Sequence, residues 1–323
     1  MLPIVYVHLG PRVATHLIDS IRQSQRESPA TPIYVVLSED STMIEMADRC
    51  GAEVILTSQL KRTADHQLFD KSINRKAGRK QGFWVFTTER FFYLEEAMRH
   101  LGIERLLHLE SDNLIFFDVA AYEERLTALY SGLAAPFLND NSCVPGVFFV
   151  GALDALVGLN GFIARRVARE RRDRPLIARL RSPRVRMGTP LNDMNLLAAY
   201  RDQVGEQGFE LLPTSPPAYE MEWRARPGPS APGALGYSRG HDTLGMVFDA
   251  AAIGQYLMGM DRHFHPRATG MSHINRNAML DPRDFEFELV KDERGRVQPT
   301  MQRGGVRYRI GSIHNHSKVN FFL

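Results

Sequence analysis

Arg105-Leu106-Leu107-His108-Leu109-Glu110-Ser111-Asp112-Asn113-Leu114-Ile115-Phe116-Phe117 is the stretch whose reading decides the fold. An apolar run with the pattern of a buried strand stops on two carboxylates and then resumes as a second apolar run. Acids at the end of a buried strand need a reason, because an uncompensated buried charge is costly. Side chains alternate along a strand, so Glu110 and Asp112 point to one face. Two carboxylates converging at the mouth of a sheet make a hard, oxygen-rich pocket suited to Mg²⁺ or Mn²⁺. A solvated acidic strand-to-turn junction is the plain alternative, and a motif this short is compatible with both.

The N-terminal third supplies a context for the pair. Ile4 to Leu9 reads as a buried strand broken by Gly10-Pro11, and Val13, Leu17, Ile18 and Ile21 recur at helical spacing. Pro32 to Leu37 reads as a second buried strand that ends in Ser38-Glu39-Asp40. Strand, helix and strand in this order form a βαβ unit, which implies a parallel pair and a right-handed crossover. Ligands of such sheets bind beyond the carboxyl ends of the strands. His8-Leu9-Gly10, Ser38-Glu39-Asp40 and Glu110-Ser111-Asp112 are those ends, and their convergence favours a functional reading of the acids.

Met43 to Cys50 reads as a short helix and Ala52 to Leu56 as a strand. Residues 57–82 are polar, with Lys61, Arg62 and Lys71 among the bases. They read as a solvated loop or as a mobile basic loop near a phosphorylated ligand. Phe83 to Leu101 carries Phe91, Leu94, Met98 and Leu101 on one helical face. Arg90 just precedes that stripe, placed either to face a ligand in the cleft or to pair with Glu89 or another acid. Val119 to Tyr130 is helical in pattern, and Cys143 to Gly151 is a strand whose Pro145 marks an edge or bend. Residues 152–180 are helical and rich in arginine, and the basic character runs on through 165–186. A solvated helix face is the plain reading, and contact with anionic lipid or an anionic glycan the sharper one. Asn192 or Asp193 can cap a helix that follows. The proline-rich residues 213–236 read as a long loop, Asp249 as leading into a capped helix, and 283–309 as a β-ribbon.

The length of 323 residues allows one large domain or two modest ones. A hydrophobic fraction of 44% and a charged fraction of 24% are ordinary for a globular protein. The net charge of +3 gives no global argument for nucleic acid. Cys50 and Cys143 alone make neither a disulfide framework nor a zinc site, and a reducing compartment is the simpler setting. The apolar start lacks a basic leader region and a small-residue cleavage site, so it reads as a first strand. No apolar run reaches the length of a transmembrane helix.

The strongest clue pairs the acids with His314-Asn315-His316-Ser317-Lys318. Histidine can complete a carboxylate metal site, and lysine can neutralise a diphosphate. Alternation puts His314 and His316 on one side of an extended segment. With these residues the chain resembles the metal-dependent glycosyltransferases of the GT-A fold, whose Asp-x-Asp motif ends a strand after a nucleotide-binding βαβ region. Glu110-Ser111-Asp112 departs from that motif in its first residue. His314, His316 and Lys318 resemble the C-terminal element of glycogenin-like members, although the glycine of that pattern is absent.

The resemblance implies an α/β fold with a mostly parallel central sheet, flanking helices and an acceptor-side subregion. It implies one domain over residues 1–323, with 1–118 binding the nucleotide sugar and 119–323 forming the acceptor part and a C-terminal lid. It implies Mn²⁺ or Mg²⁺ on Glu110, Asp112 and His314 or His316, with Asp112 the firmest ligand. His8, Leu9, Gly10, Ser38, Glu39 and Asp40 would hold the base and ribose, joined on the donor side by Arg90, Ser111 and Lys318. Asp193 is the first candidate for a catalytic carboxylate and Asp249 the second. An inverting enzyme would use such a group as general base and a retaining one would not need it. The implied reaction transfers a sugar from a nucleoside diphosphate donor to a hydroxyl of a glycan or glycolipid in polysaccharide biosynthesis. The implied setting is cytoplasmic, with peripheral contact at the inner face of a membrane. The alternatives are a non-catalytic glycan- or nucleotide-binding module, with Trp84, Tyr219 or Trp223 stacking on sugar, and a sugar nucleotidyltransferase. The latter usually has a Gly-rich basic loop after strand one, where this chain has Gly10-Pro11-Arg12.

Overall fold

The computed structural model describes residues 1–11, 14–73, 83–180, 192–225, 236–260, 273–293 and 296–318. The N-terminal third alternates strands and helices as its pattern predicts: β1 (Ile4–His8), α1 (Thr15–Glu27), β2 (Ile33–Leu37), α2 (Ile44–Arg49) and β3 (Glu53–Leu56). Two helices, α3 (Ala64–Ser72) and α4 (Phe83–Leu101), lead to β4 (Leu106–Leu109) and β5 (Asn113–Ile115). Then come α5 (Val119–Leu129), β6 (Leu133–Ala135), β7 (Phe137–Asn139), β8 (Ser142–Cys143) and β9 (Val147–Val150). The long α6 (Leu153–Leu180) is followed by α7 (Asp193–Val204), β10 (Phe209–Leu211) and α8 (Pro217–Ala225). The chain continues through α9 (His241–Leu244), β11 (Met246–Phe248) and α10 (Ile253–Met258). It closes on β12 (Glu286–Lys291), β13 (Val297–Arg303) and β14 (Val306–His314).

Seven strands form the central sheet in the order β10-β6-β9-β4-β1-β2-β3. β1 pairs in parallel with β2 and β4, β2 with β3, and β6 with β10, while β9 alone runs against its neighbours. This is the expected α/β class with a mostly parallel sheet and flanking helices. Both faces are covered, so the strands read as continuous apolar runs. Val5 and Val7 belong to a core shared with α3, α4, α6 and α7. Ile4 and Tyr6, one residue out of phase, belong to a second core under α1, α2 and α5. Leu17, Ile18 and Ile21 are the buried stripe of α1, each worth roughly 1.5–3 kcal/mol of apolar burial.

A second sheet runs β11-β14-β13-β12, with β5 attached to β14. β5 follows the acid pair directly, so the chain leaves the central sheet at Glu110 and enters the second sheet at Asn113. The antiparallel pairing of β14 with β5 sets Ser312 opposite Ile115, Ile313 opposite Leu114 and His314 opposite Asn113. That register carries the C-terminal segment to the acid pair.

Three expectations change. Residues 57–82 do not read through as one loop, because Ala64–Ser72 is a helix. Thr63 caps it by accepting the His66 N–H at 3.3 Å, and its buried side is only His66 and Phe69, too little apolar surface for a helical signature. Lys61, Arg62 and Lys71 lie in the described part, and the bases from Arg75 to Lys80 lie outside the described residues. The proline-rich 213–236 stretch contains α8, which Pro217 opens, its fixed φ suiting a first helical position. The single strand expected over 143–151 is two, separated by Val144-Pro145-Gly146. The helix cap is Asn192, which accepts the Asn195 N–H at 2.9 Å.

Candidate active site

Glu110, Asp112 and His314 bring one ligand atom each within 4.8 Å of one another, at the carboxyl end of β4. His314 Nε2 lies 3.3 Å from one Glu110 oxygen and 3.2 Å from Asp112 Oδ1. Lys318 Nζ sits 3.4 Å from Asp112 Oδ2. The backbone locks this geometry. Glu110 N–H donates to Gly146 O at 3.0 Å, Asn113 N–H to Glu110 O at 3.0 Å, and Asn315 N–H to Asp112 O at 2.7 Å. Lys318 adopts a left-handed φ of 57°, a conformation a non-glycine residue holds at a cost.

Arg90 extends the cluster. Its guanidinium bonds Glu110 through Nη1 and Asp193 Oδ2 through Nη2, the latter at 2.8 Å, and all three side chains are buried or nearly so. Of the two roles open to Arg90, pairing with acids is the one seen, and the acids are Glu110 just after β4 and Asp193 at the start of α7, not acids of its own helix. Burial pushes the Asp193 carboxyl up from its ordinary value against the pull of Arg90. Burial would also raise Asp112, but His314 and Lys318 outweigh it and hold the carboxyl well below the usual carboxylate range. Burial alone would lower His314, and the Asp112 and Glu110 carboxylates instead lift it to about 9.

Two carboxylate oxygens and one imidazole nitrogen form a mixed donor set that suits Mn²⁺ or a similar divalent ion. His314 and Lys318 face the carboxylates that such an ion would share. The donor set therefore fits the expected metal. His316 stacks on His314 with ring centroids 4.1 Å apart, and its Nε2 lies 3.4 Å from Gln255 Nε2. Between the two histidines, the one within reach of both acids is His314.

Asp249 has a different setting from the one expected of a reacting carboxylate. One oxygen accepts from Ala252 N–H at 2.8 Å and Ile253 N–H at 2.9 Å, the other from Gly254 N–H at 2.7 Å and His314 N–H at 3.0 Å. These donors oppose the burial that pushes its carboxyl up. The group therefore fastens β14 onto a turn whose Ala251 holds a left-handed φ of 65°. A Cβ on Gly254 would lie 2.0 Å from His314 O, so only glycine lets the two segments meet.

On the expected nucleotide side, Gly10 has a left-handed φ of 96°, and its N–H donates to Ser38 Oγ at 3.0 Å, which joins the ends of β1 and β2. His8 and Leu9 are half-buried, while Glu39 and Asp40 are exposed. Glu39 accepts from Thr57 Oγ1 and the Ser58 N–H, which cap the turn after β3, and its own backbone N–H together with these contacts holds its carboxyl at about 2. Ser111 Oγ meets His16 Nε2 at 3.3 Å, and its carbonyl accepts from Ser20 Oγ at 2.9 Å. His16, which the sequence reading passed over, is pushed down to about 4 by burial and is neutral. Its only sequence signal was a position in the first turn of α1, pointing at the strand ends. Tyr219 is core, Trp223 packs at a core edge, and the Trp84 side chain lies outside the described residues.

No family model matches the sequence, and no curated protein matches it. Among solved structures the chain is similar to mouse xyloside xylosyltransferase 1 in its apo form, with 13% identity and a TM-score of 0.40 over 66% of this chain and 85% of that one. It is similar to galactosyltransferase LgtC in complex with donor and acceptor sugar analogs, with 12% identity and a TM-score of 0.42 over 70% and 79%. It is similar to the PaToxG glycosyltransferase, with 11% identity and a TM-score of 0.40 over 63% and 69%. Among the described residues no helix is long and apolar enough to cross a membrane.

Proposed function

We propose that this chain is a metal-dependent glycosyltransferase of the GT-A type, which moves a sugar from a nucleoside diphosphate donor to a hydroxyl of a glycan or glycolipid acceptor. The observation that carries this reading is the meeting of Glu110, Asp112 and His314 at the end of β4, with Lys318 beside Asp112. Parallel sheets bind ligands at that end of their strands. When bound, Mn²⁺ or Mg²⁺ would supply Lewis-acid stabilisation of the departing diphosphate. Glu110, Asp112 and His314 would hold the ion, and His316 would back His314 through its stacked ring.

Lys318 would turn from Asp112 to a phosphate oxygen as a compact point charge. His8 to Gly10 and Ser38 to Asp40 would line the base and ribose, with Ser111 and Arg90 on the donor side. Arg90 would fix the spacing between the metal carboxylate Glu110 and the sugar-side carboxylate Asp193. Burial that favours the protonated form of Asp193 makes it a better proton acceptor than an ordinary aspartate, the property a general base needs. Residues 1–118 would serve the nucleotide, and the remainder the acceptor and the closing C-terminal segment. The exposed Arg165, Arg166, Arg169 and Arg171 of α6 would suit an anionic acceptor or the anionic inner face of a membrane.

The test is a panel of nucleotide sugars with Mn²⁺, read by thermal shift and by nucleotide release. At least one donor is expected to stabilise the protein and to be turned over. Asp112→Ala is expected to lower that turnover by about 10²–10³-fold, the scale of losing one charge-stabilising group. A protein that no donor stabilises, or turnover undiminished in Asp112→Ala, would sink the reading.

A further inference from the structure

Asn113 directly follows the acid pair, and the proposed function does not use its side chain. It is fully buried, and neither its Oδ1 nor its Nδ2 has a hydrogen-bond partner. A buried amide left this way forfeits its hydration without recompense, so such a group calls for an explanation. One other buried polar atom in the same place is in the same condition, Nδ1 of His314. The two residues are directly opposite in the β5–β14 pairing, which puts their side chains on one face with Cβ atoms about 5 Å apart. Gly146 reports their closeness independently. A Cβ built there would lie 2.3 Å from Asn113 Nδ2 and 3.3 Å from His314 Nδ1. A side chain at position 146 would therefore occupy the space between these groups, and glycine keeps it open.

From this juxtaposition we infer that Asn113 is a positioning residue for His314, its amide oxygen accepting a hydrogen bond from Nδ1–H when Nε2 is given to a metal. The inference rests on the proposed metal role of Glu110, Asp112 and His314. A metal-bound imidazole must carry its proton on the other nitrogen, and that N–H needs an acceptor to fix the ring plane and tautomer. The Asn113 amide, buried on the same face and supplied by the residue that follows the acid pair, carries such an acceptor in Oδ1, which a half-turn of the amide exchanges with Nδ2. Its Nδ2 faces Gly146, which also accepts the Glu110 N–H through its carbonyl. One turn thus supports both a metal carboxylate and the ring beside it. No proton changes hands in this arrangement, because the proton stays on Nδ1 and only its acceptor is specified.

The experiment measures Mn²⁺ affinity of the full-length protein without donor, by calorimetry, together with histidine ¹⁵N spectra of the Mg²⁺-loaded protein. Asn113→Leu, similar in size and without an acceptor, is expected to weaken Mn²⁺ by about 10–100-fold. It should also remove the slowly exchanging Nδ1–H signal of His314. Asn113→Asp keeps an acceptor and is expected to bind within a few-fold of the parent or tighter. Gly146→Ala, which pushes hardest on the amide and also crowds the His314 ring, is expected to weaken Mn²⁺ in the same direction as Asn113→Leu. Equal affinity of the parent and Asn113→Leu overturns this inference alone, as does Asn113→Asp weakening as much as Asn113→Leu. A parent that binds no Mn²⁺ overturns the metal reading and the inference with it.

Discussion

Twice among the described residues a histidine is set among carboxylates, and the two clusters are built on opposite plans. At the sheet mouth, Glu110, Asp112 and His314 come from segments about two hundred residues apart, joined by the β5–β14 register. Between α3 and α4, His66, Asp70, Glu89 and Glu96 come from two helices that are neighbours in sequence. His66 Nδ1 lies 2.9 Å from Glu96 and Nε2 3.2 Å from Glu89. Its ring stacks on Phe92 and meets the edge of Tyr93. Glu96 also accepts the Thr63 N–H at 2.8 Å, so the cluster anchors the start of α3. Both clusters gather three ligand-type groups within 4.8 Å, and proximity alone does not tell them apart.

What differs is where the hydrogen bonds go. His66 has a carboxylate on each ring nitrogen and aromatic rings around it, while Asp70 is tied to Arg62. His314 has two carboxylates and a lysine on one side of the cluster and an acceptor-less Nδ1 on the other, and its acids are half-buried. A group satisfied on every side holds helices together. The acids around His314 instead reach partial exposure, as the proposed metal role requires.

The largest effect that would break this contrast is expected at His66. His66→Ala leaves Glu89 and Glu96 buried beside each other without their shared partner. Losing one member of a buried pair costs about 3–5 kcal/mol, and the vacated ring adds a cavity. Denaturant titration should report a stability loss near 4 kcal/mol, with Mn²⁺ affinity unchanged from the parent. If His66→Ala unfolds no more readily but binds Mn²⁺ more weakly, the roles of the clusters are exchanged.

Gly254→Ala tests the other side. Its new methyl would meet His314 O at 2.0 Å, and backbone must move. Overpacking of this kind costs roughly 1–3 kcal/mol. The strain falls on the segment that Asp249 holds, so Mn²⁺ affinity should fall along with stability. A variant that is destabilised while binding Mn²⁺ as tightly as the parent would show that the 249–254 turn does not set His314.

The same contrast explains what the sequence could disclose. The acid pair was legible because an apolar run ended on it, and β1, β2 and β4 because buried parallel strands are continuous apolar runs. The His314-to-Lys318 cluster was visible as composition. Its delivery to the acids was not, because a pairing between residue 113 and residue 314 leaves no local periodicity. Arg90 was noticed, yet its bridge from Glu110 to Asp193 joins three elements at once. Helix α3 escaped because its docking face is a histidine between glutamates, which reads as solvated polarity. Asp249 was read as a cap and as a catalytic candidate, and the bonds it makes are those of a cap that reaches across to β14.

The smallest expected effect is one of pH, and it separates the clusters by where it falls. Burial works to lower the pKa of His66, but the bonds to Glu89 and Glu96 prevail and raise it to about 8. A histidine of the unfolded chain titrates near 6.5. Because the folded value is the higher one, the folded state holds the proton more tightly, and the stabilisation is fully present below about pH 6.5. It is lost as pH rises through about 8, and amounts to roughly 2 kcal/mol. His314 shifts in the same direction, to about 9, so its share is lost over a window extending higher. Metal binding requires a neutral imidazole, so saturating Mn²⁺ should remove the His314 share and leave that of His66. Denaturant midpoints measured from pH 6 to pH 9.5 with Mn²⁺ should therefore show one step centred between 6.5 and 8. His66→Gln should flatten it. A step that persists in His66→Gln would mean that the buried histidine between the glutamates is not the group that titrates.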